Sequence, residues 1–244
     1  MRALYTGAAV FLCCVILTAD DGKVFPKKFT SGDMAMSVSE SGVITLSYKN
    51  TEMLAVQNPW FMNEKWQALP RKENDRLSVE VVGETDALVT LRIKDARQDF
   101  LKSYEQTVAL TPNSLTTVID YEYSADIGTW HLPIYLFARH LSGMKYKSLL
   151  ADGTTKEGAI SEVIPDKVIY GLDGNVNVKE MTFSLKDLDL RFALSGNGWN
   201  FCDHRGAPWM KEPKVFMLLN SISSKKKDAK EHYEIKVSII PNRT

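Results

Sequence analysis

A strict two-residue alternation runs through residues 115–123, and no other feature narrows the possible folds of this chain as far. Leu115, Thr117, Ile119, Tyr121 and Tyr123 fall on one side, Asp120 and Glu122 on the other. Successive side chains of a strand point to opposite faces, so this segment is a strand with one buried face and one wet face. The pattern recurs from Met34 to Ile240 with little sign of a long helix. Strands are expected over 34–38, 43–48, 52–56, 77–82, 87–94, 100–110, 115–123, 132–138, 168–170, 178–183, 188–194, 215–219 and 233–240. Turns such as Ser41-Gly42, Lys49-Asn50 and Pro112-Asn113 join them. About a dozen strands in one domain would leave a single flat sheet with an exposed apolar face. The chain is therefore expected to be all-β, a large antiparallel two-sheet sandwich with few or no helices. A closed barrel is the competing architecture.

Residues 1–19 read as a signal peptide. Arg2 supplies the positive start, 8–17 is an apolar stretch too short to span a bilayer comfortably, and Ala19 is a small residue at a cleavage point. An uncleaved anchor is the alternative. This predicts a secreted or periplasmic protein whose single domain is 20–244. Cys13 and Cys14 leave with the leader, and the remaining thiol, Cys202, cannot form an internal disulfide, so the fold must rest on its core. The full chain balances 30 Lys+Arg against 30 Asp+Glu. Such neutrality argues against nucleic acid or an anionic membrane surface as the main partner.

Several segments resemble the galactose mutarotase-like supersandwich, the β-domain of aldose epimerases and an accessory domain of many polysaccharide lyases and glycoside hydrolases. They are 42–48 with Glu52-Met53-Leu54, the pair 104–110 and 115–123, and the closing 232–241. The resemblance covers most of the mature chain and is one of pattern. It implies a two-sheet fold and an affinity for sugars. The Asn-His-x-Tyr-Phe-Asn type segment of sugar mutarotases has no match; Trp130-His131-Leu132-Pro133 and Ala138-Arg139-His140 are its nearest surrogates. No catalytic glutamate can be carried over. The resemblance thus implies fold and sugar affinity more than epimerase chemistry.

The segment 197–209 is the richest in chemistry. Trp199, Asp203, His204, Arg205 and Trp209 combine aromatic faces, which stack on the C–H faces of a pyranose, with polar groups that hydrogen-bond its hydroxyls. The competing reading is a loop held by its own salt bridge, with the two tryptophans plugging the sandwich edge. Trp130, His131, Arg139 and His140 flank the 132–138 strand and form a second group of sugar-contact candidates. If that strand continues to residue 140, alternation sends His131 and His140 to opposite faces. Asp120 and Glu122 share a face ~7 Å apart, and Asp187 and Asp189 have the same spacing; paired carboxylates can do acid–base chemistry, but on an exposed sheet face both pairs read as solvated charge. No zinc spacing appears; Asp166, Asp173 and Asn175 supply oxygen ligands of the calcium kind around Gly171 and Gly174 without an EF-hand loop, the segment 171–175 is more simply a tight turn, and no cofactor is expected. A Cys202–His204 thiol dyad would need a special turn. The leading expectation is a carbohydrate-binding protein. A carbohydrate-active enzyme, epimerase-, lyase- or hydrolase-like, is the alternative. The third reading is a cell-envelope protein that meets a protein partner through a sheet edge or the 58–76 loop.

Overall fold

The computed structural model describes residues 26–39, 41–62, 76–85, 87–96, 100–196, 198–210, 214–222 and 225–242. The strands are β1 (Lys27–Ser31), β2 (Met34–Val38), β3 (Ile44–Tyr48), β4 (Thr51–Val56), β5 (Trp60–Met62), β6 (Arg76–Thr85), β7 (Leu88–Ala96), β8 (Leu101–Thr111) and β9 (Ser114–Tyr123). They continue with β10 (Thr129–Phe137), β11 (Lys145–Leu150), β12 (Thr155–Ala159), β13 (Val178–Ser184), β14 (Leu188–Leu194), β15 (Trp199–Asp203), β16 (Val215–Ile222) and β17 (Lys230–Pro241). One short helix, α1 (Ala138–Leu141), follows β10.

Two antiparallel sheets result. The eight-stranded sheet runs β1-β2-β3-β4-β10-β16-β15, with β5 also on β10; the nine-stranded sheet runs β12-β11-β13-β14-β17-β9-β8-β7-β6. The protein is therefore a sandwich and not a closed barrel. Alternation does the sorting. On β9 the side expected to be dry is buried and carries Leu115, Ile119, Tyr121 and Tyr123 into the core. On its wet side Asp120 meets His232, and Glu122 meets Lys102 and Lys230. These carboxylates belong to a solvated charge ladder on the outside of the nine-stranded sheet.

The two inner faces lock through rings. Phe201 of β15 meets Phe183 of β13 at 5.3 Å, and Trp199 of β15 meets Tyr233 of β17 edge-on at 6.5 Å. Pro133 sits inside β10, where it can donate no ladder hydrogen bond. It falls where β10 changes neighbours, between the β5 pairing at 129–131 and the β4 pairing at 134–136.

Three sequence expectations need correction. The segment 197–209 is not a loop throughout, since Trp199–Asp203 is a strand in register with β16. The stretch expected to be a loop from Asn58 contains a strand, Trp60–Met62, paired with β10. Residues 168–170 make only a single bridge, Ile169 to Asp203. The expected signal peptide, and the helical turn expected around 64–69, lie outside the described residues. Short strands β1, β11 and β12 were not legible because their composition is turn-like or strongly charged. Trp199 is 0% exposed and its indole N–H donates to the Ser195 carbonyl at 2.8 Å. Truncating a fully buried Trp leaves a large cavity. Trp199→Ala should cost about 3–5 kcal/mol in urea unfolding, whatever ligand the protein takes.

Candidate functional site

The outer side of the eight-stranded sheet is where chemistry and burial meet. Register sets Thr45, Ala55, Tyr135, Met217 and Cys202 in one row across β3, β4, β10, β16 and β15. Ala55, Phe137, Cys202, Val215, Met217 and Leu219 form a second apolar cluster there, with Val43, Trp60, Tyr135 and Met210 packed against it. Burial pushes the Tyr135 phenol up to about 12 and the Cys202 thiol up to about 11. Both are neutral at pH 7, so Cys202 is a core thiol and not a nucleophile.

His131 stands on this face at one end of β10. Pairing puts it between Trp60 of β5 and Ser221 of β16. Its Nδ1 lies 3.0 Å from the Ser221 hydroxyl, and the Trp60 ring meets it edge-on at 6.4 Å. Half-burial holds the imidazole below its ordinary pKa, so it is neutral at pH 7. Among the described residues the group facing it in register is a hydroxyl rather than a carboxylate.

His204 follows β15. It is 3% exposed, and among the described residues neither ring nitrogen has a hydrogen-bond partner. Burial lowers its pKa to about 4, with Asp203 opposing the shift and His131 adding to it. The Tyr170 ring covers it edge-on at 5.7 Å. Alternation along β10 already put Tyr135 on the His131 side, whereas Trp60 and Ser221 were missed because only cross-strand register brings them here, and Tyr170 because a single bridge, Ile169 to Asp203, carries it in.

Asp203 and Arg205 are corrected from ligand contacts to structural residues. Their side chains are buried and form an ion pair, with Arg205 Nη2 2.8 Å from Asp203 Oδ2. The guanidinium also donates to Ser142 Oγ at 3.1 Å and to the Val163 carbonyl at 2.9 Å, and it lies over the Phe216 ring at 4.5 Å. The salt bridge named as the alternative for this segment is thus present. Trp199 is also corrected, since it belongs to the core. Trp209 is 63% exposed. Trp130 lies on β10 opposite Phe61 and Ile222.

Arg139 and His140 are not brought to His131. The strand ends at Phe137, so the alternation argument stops before residue 140. In α1 both residues donate to the Glu52 carbonyl, at 3.1 and 2.8 Å. No cluster of three or more His, Cys, Asp or Glu able to hold a metal occurs among the described residues. Asp173 accepts from the Tyr146 hydroxyl at 2.9 Å, in a turn over Leu172–Gly174.

Comparison with solved structures decides the fold. A galactose 1-epimerase from Lactobacillus acidophilus superposes with a TM-score of 0.57 over 88% of this chain and 93% of its own, at 7% identity. This protein has the galactose mutarotase-like fold. An aldose epimerase homologue from C. elegans gives 0.53 over 88% and 98%, at 10% identity. An α-N-acetylgalactosaminidase from Bifidobacterium bifidum gives 0.52 over 89% of this chain but 36% of its own, at 9% identity. No family model matches the sequence, and no curated protein does. At these identities the likeness is one of fold.

Two outcomes follow from the site chemistry. Removing one partner of a buried ion pair strands a charge, so Arg205→Ala should cost about 3–5 kcal/mol by urea denaturation. His204 has an ordinary pKa of 6.5 when unfolded and about 4 when folded. The unfolded chain therefore binds the extra proton, and stability falls as pH drops from 6.5 towards 4. The loss amounts to ~3 kcal/mol. Urea midpoints at pH 7 and pH 4.5 should show this loss in the native protein and less of it in His204→Leu. Parallel curves would assign the acid sensitivity elsewhere.

Proposed function

We propose that this chain is a carbohydrate-active protein of the aldose 1-epimerase kind, taking a sugar on the outer face of the eight-stranded sheet around His131. The carrying observation is the row Trp60, His131 and Ser221. An aromatic ring, a neutral imidazole and a hydroxyl stand together on one face, in a fold shared with a galactose 1-epimerase. Epimerisation at C1 needs a proton taken from the anomeric hydroxyl and one given to the ring oxygen as the C1–O bond opens to the aldehyde. Reclosure on the other face reverses both transfers. A neutral imidazole suits either transfer at pH 7. Ser221 orients the ring of His131 through Nδ1. Residues 1–19 belong to this reading as an export signal, and intact mass of the exported protein should place its start near Asp20.

A second reading, sugar binding without turnover, is favoured by Ser221 itself. A hydroxyl opposite His131 orients the ring but does not exchange protons near neutral pH as a carboxylate would.

Polarimetry of freshly dissolved α-D-galactose and α-D-glucose separates the two. Acceleration by the native protein, reduced about 100-fold or more in His131→Ala, supports the epimerase reading. The fall in rate on acidification should come at lower pH than an ordinary imidazole would give, because burial lowers the pKa of His131. Sugar binding without acceleration would select the binding reading. Absence of both, across a panel of reducing hexoses, would overturn the proposal.

A further inference from the structure

The β15 border of the eight-stranded sheet carries a feature that the His131 row does not use. Asparagine and glycine turns return residues 169–176 along the strand, bridging Ile169 to Asp203 and Val176 to Asn200. This return covers the open backbone edge of β15, yet it leaves Tyr170 65% exposed. Trp209, equally bare, comes two residues after the turn in which Ala207 donates to the His204 carbonyl. His204 lies between them in sequence, its two ring nitrogens buried and without a hydrogen-bond partner among the described residues, under the Tyr170 ring. A buried polar group without a partner is costly, and such groups in native proteins call for a role or a ligand. Exposed rings on a neutral surface next to a hydrogen-bonding imidazole are the chemistry of a sugar subsite.

Location connects this border to the proposed site. The outer face is continuous through β16: His131 pairs with Ser221 towards one end, and Cys202, two residues before His204, pairs with Met217 towards the other. The His131 row and the β15 border are therefore separate stretches of one sheet face.

We infer that the β15 border is a second sugar subsite, with Tyr170 and Trp209 as stacking rings and His204 as the hydrogen-bonding group reached when Tyr170 swings onto the ligand. The ligand is then an oligosaccharide that runs from the His131 row to this border, a single hexose filling only the His131 end. The inference rests on the sugar reading of the His131 face and names the substrate class for it.

The test is calorimetry with the full chain and two matched probes, D-galactose and β-1,4-galactotetraose, followed by the corresponding glucose and N-acetylgalactosamine pairs. The tetramer should bind at least tenfold more tightly than its monomer. Tyr170→Ala and Trp209→Ala should each erase that gain and leave the monomer constant within twofold. Both side chains are exposed, so the variants should keep the native melting temperature. His131→Ala should weaken monomer and tetramer alike. In the native protein the His204 ring 15N signals should move with the tetramer and stay still with the monomer. Monomer and tetramer binding equally, or Tyr170→Ala weakening both, would overturn the second subsite and leave the His131 site standing. Silence across all the pairs would overturn both.

Discussion

The eight-stranded sheet is buried on both sides where β10, β16 and β15 run together, and the candidate site exists because of that. Phe216 and Leu218 of β16 face the sandwich core, while Met217 and Leu219 of the same strand face the outer cluster, all of them buried. Each such side chain taken from water contributes about 1.5–3 kcal/mol. This apolar floor makes β16 a rigid platform, and it lowers the local dielectric around whatever polar group stands on it. The depressed basicity of His131 and His204 and the raised phenol of Tyr135 share this cause.

The floor has one vulnerable margin, the free backbone edge of β15. Open edges invite pairing with other chains, and proteins cover them. Here the cover is the 161–177 segment, fastened by backbone bridges at Ile169 and Val176 and by the Arg205 guanidinium. Arg205 reaches Ser142, Val163 and Asp203 at once and lies over Phe216. Gly206 lets this happen, because a Cβ there would stand 1.9 Å from the Pro165 carbonyl oxygen. The same fastening places Tyr170 over His204. The polar richness of 197–209 is thus divided between structure and surface. Trp199, Asp203 and Arg205 hold the border together, and Trp209 with Tyr170 faces outward.

Much of the architecture was legible because burial of one face writes itself as alternation. Residues 115–123 and 233–240 announced themselves this way. Residues 215–219 read as an uninterrupted apolar run, which hid the fact that the strand has two dry faces. Strand β15 was hidden for another reason: Trp, Asn, Phe, Cys and Asp do not spell a strand, and its place was set by pairing with β16. The site was less legible than the fold. His131 was visible as a candidate, but its partners Trp60 and Ser221 are about 70 and 90 residues away in sequence, and only the antiparallel pairings of β10 join them.

By itself the sequence determined the class of fold, through period-two patterning, and the types of side chain available to a sugar site. Local alternation needs nothing but the pleat of a strand, so it survives in one dimension. Tertiary structure alone decided which of those side chains are free to act. Trp199 and Arg205 have the chemistry of ligand contacts, and their burial assigns them to the core and the border. His204 was one candidate among nine in the sequence; a buried ring with no partner at either nitrogen is a property of packing, which a residue list does not contain.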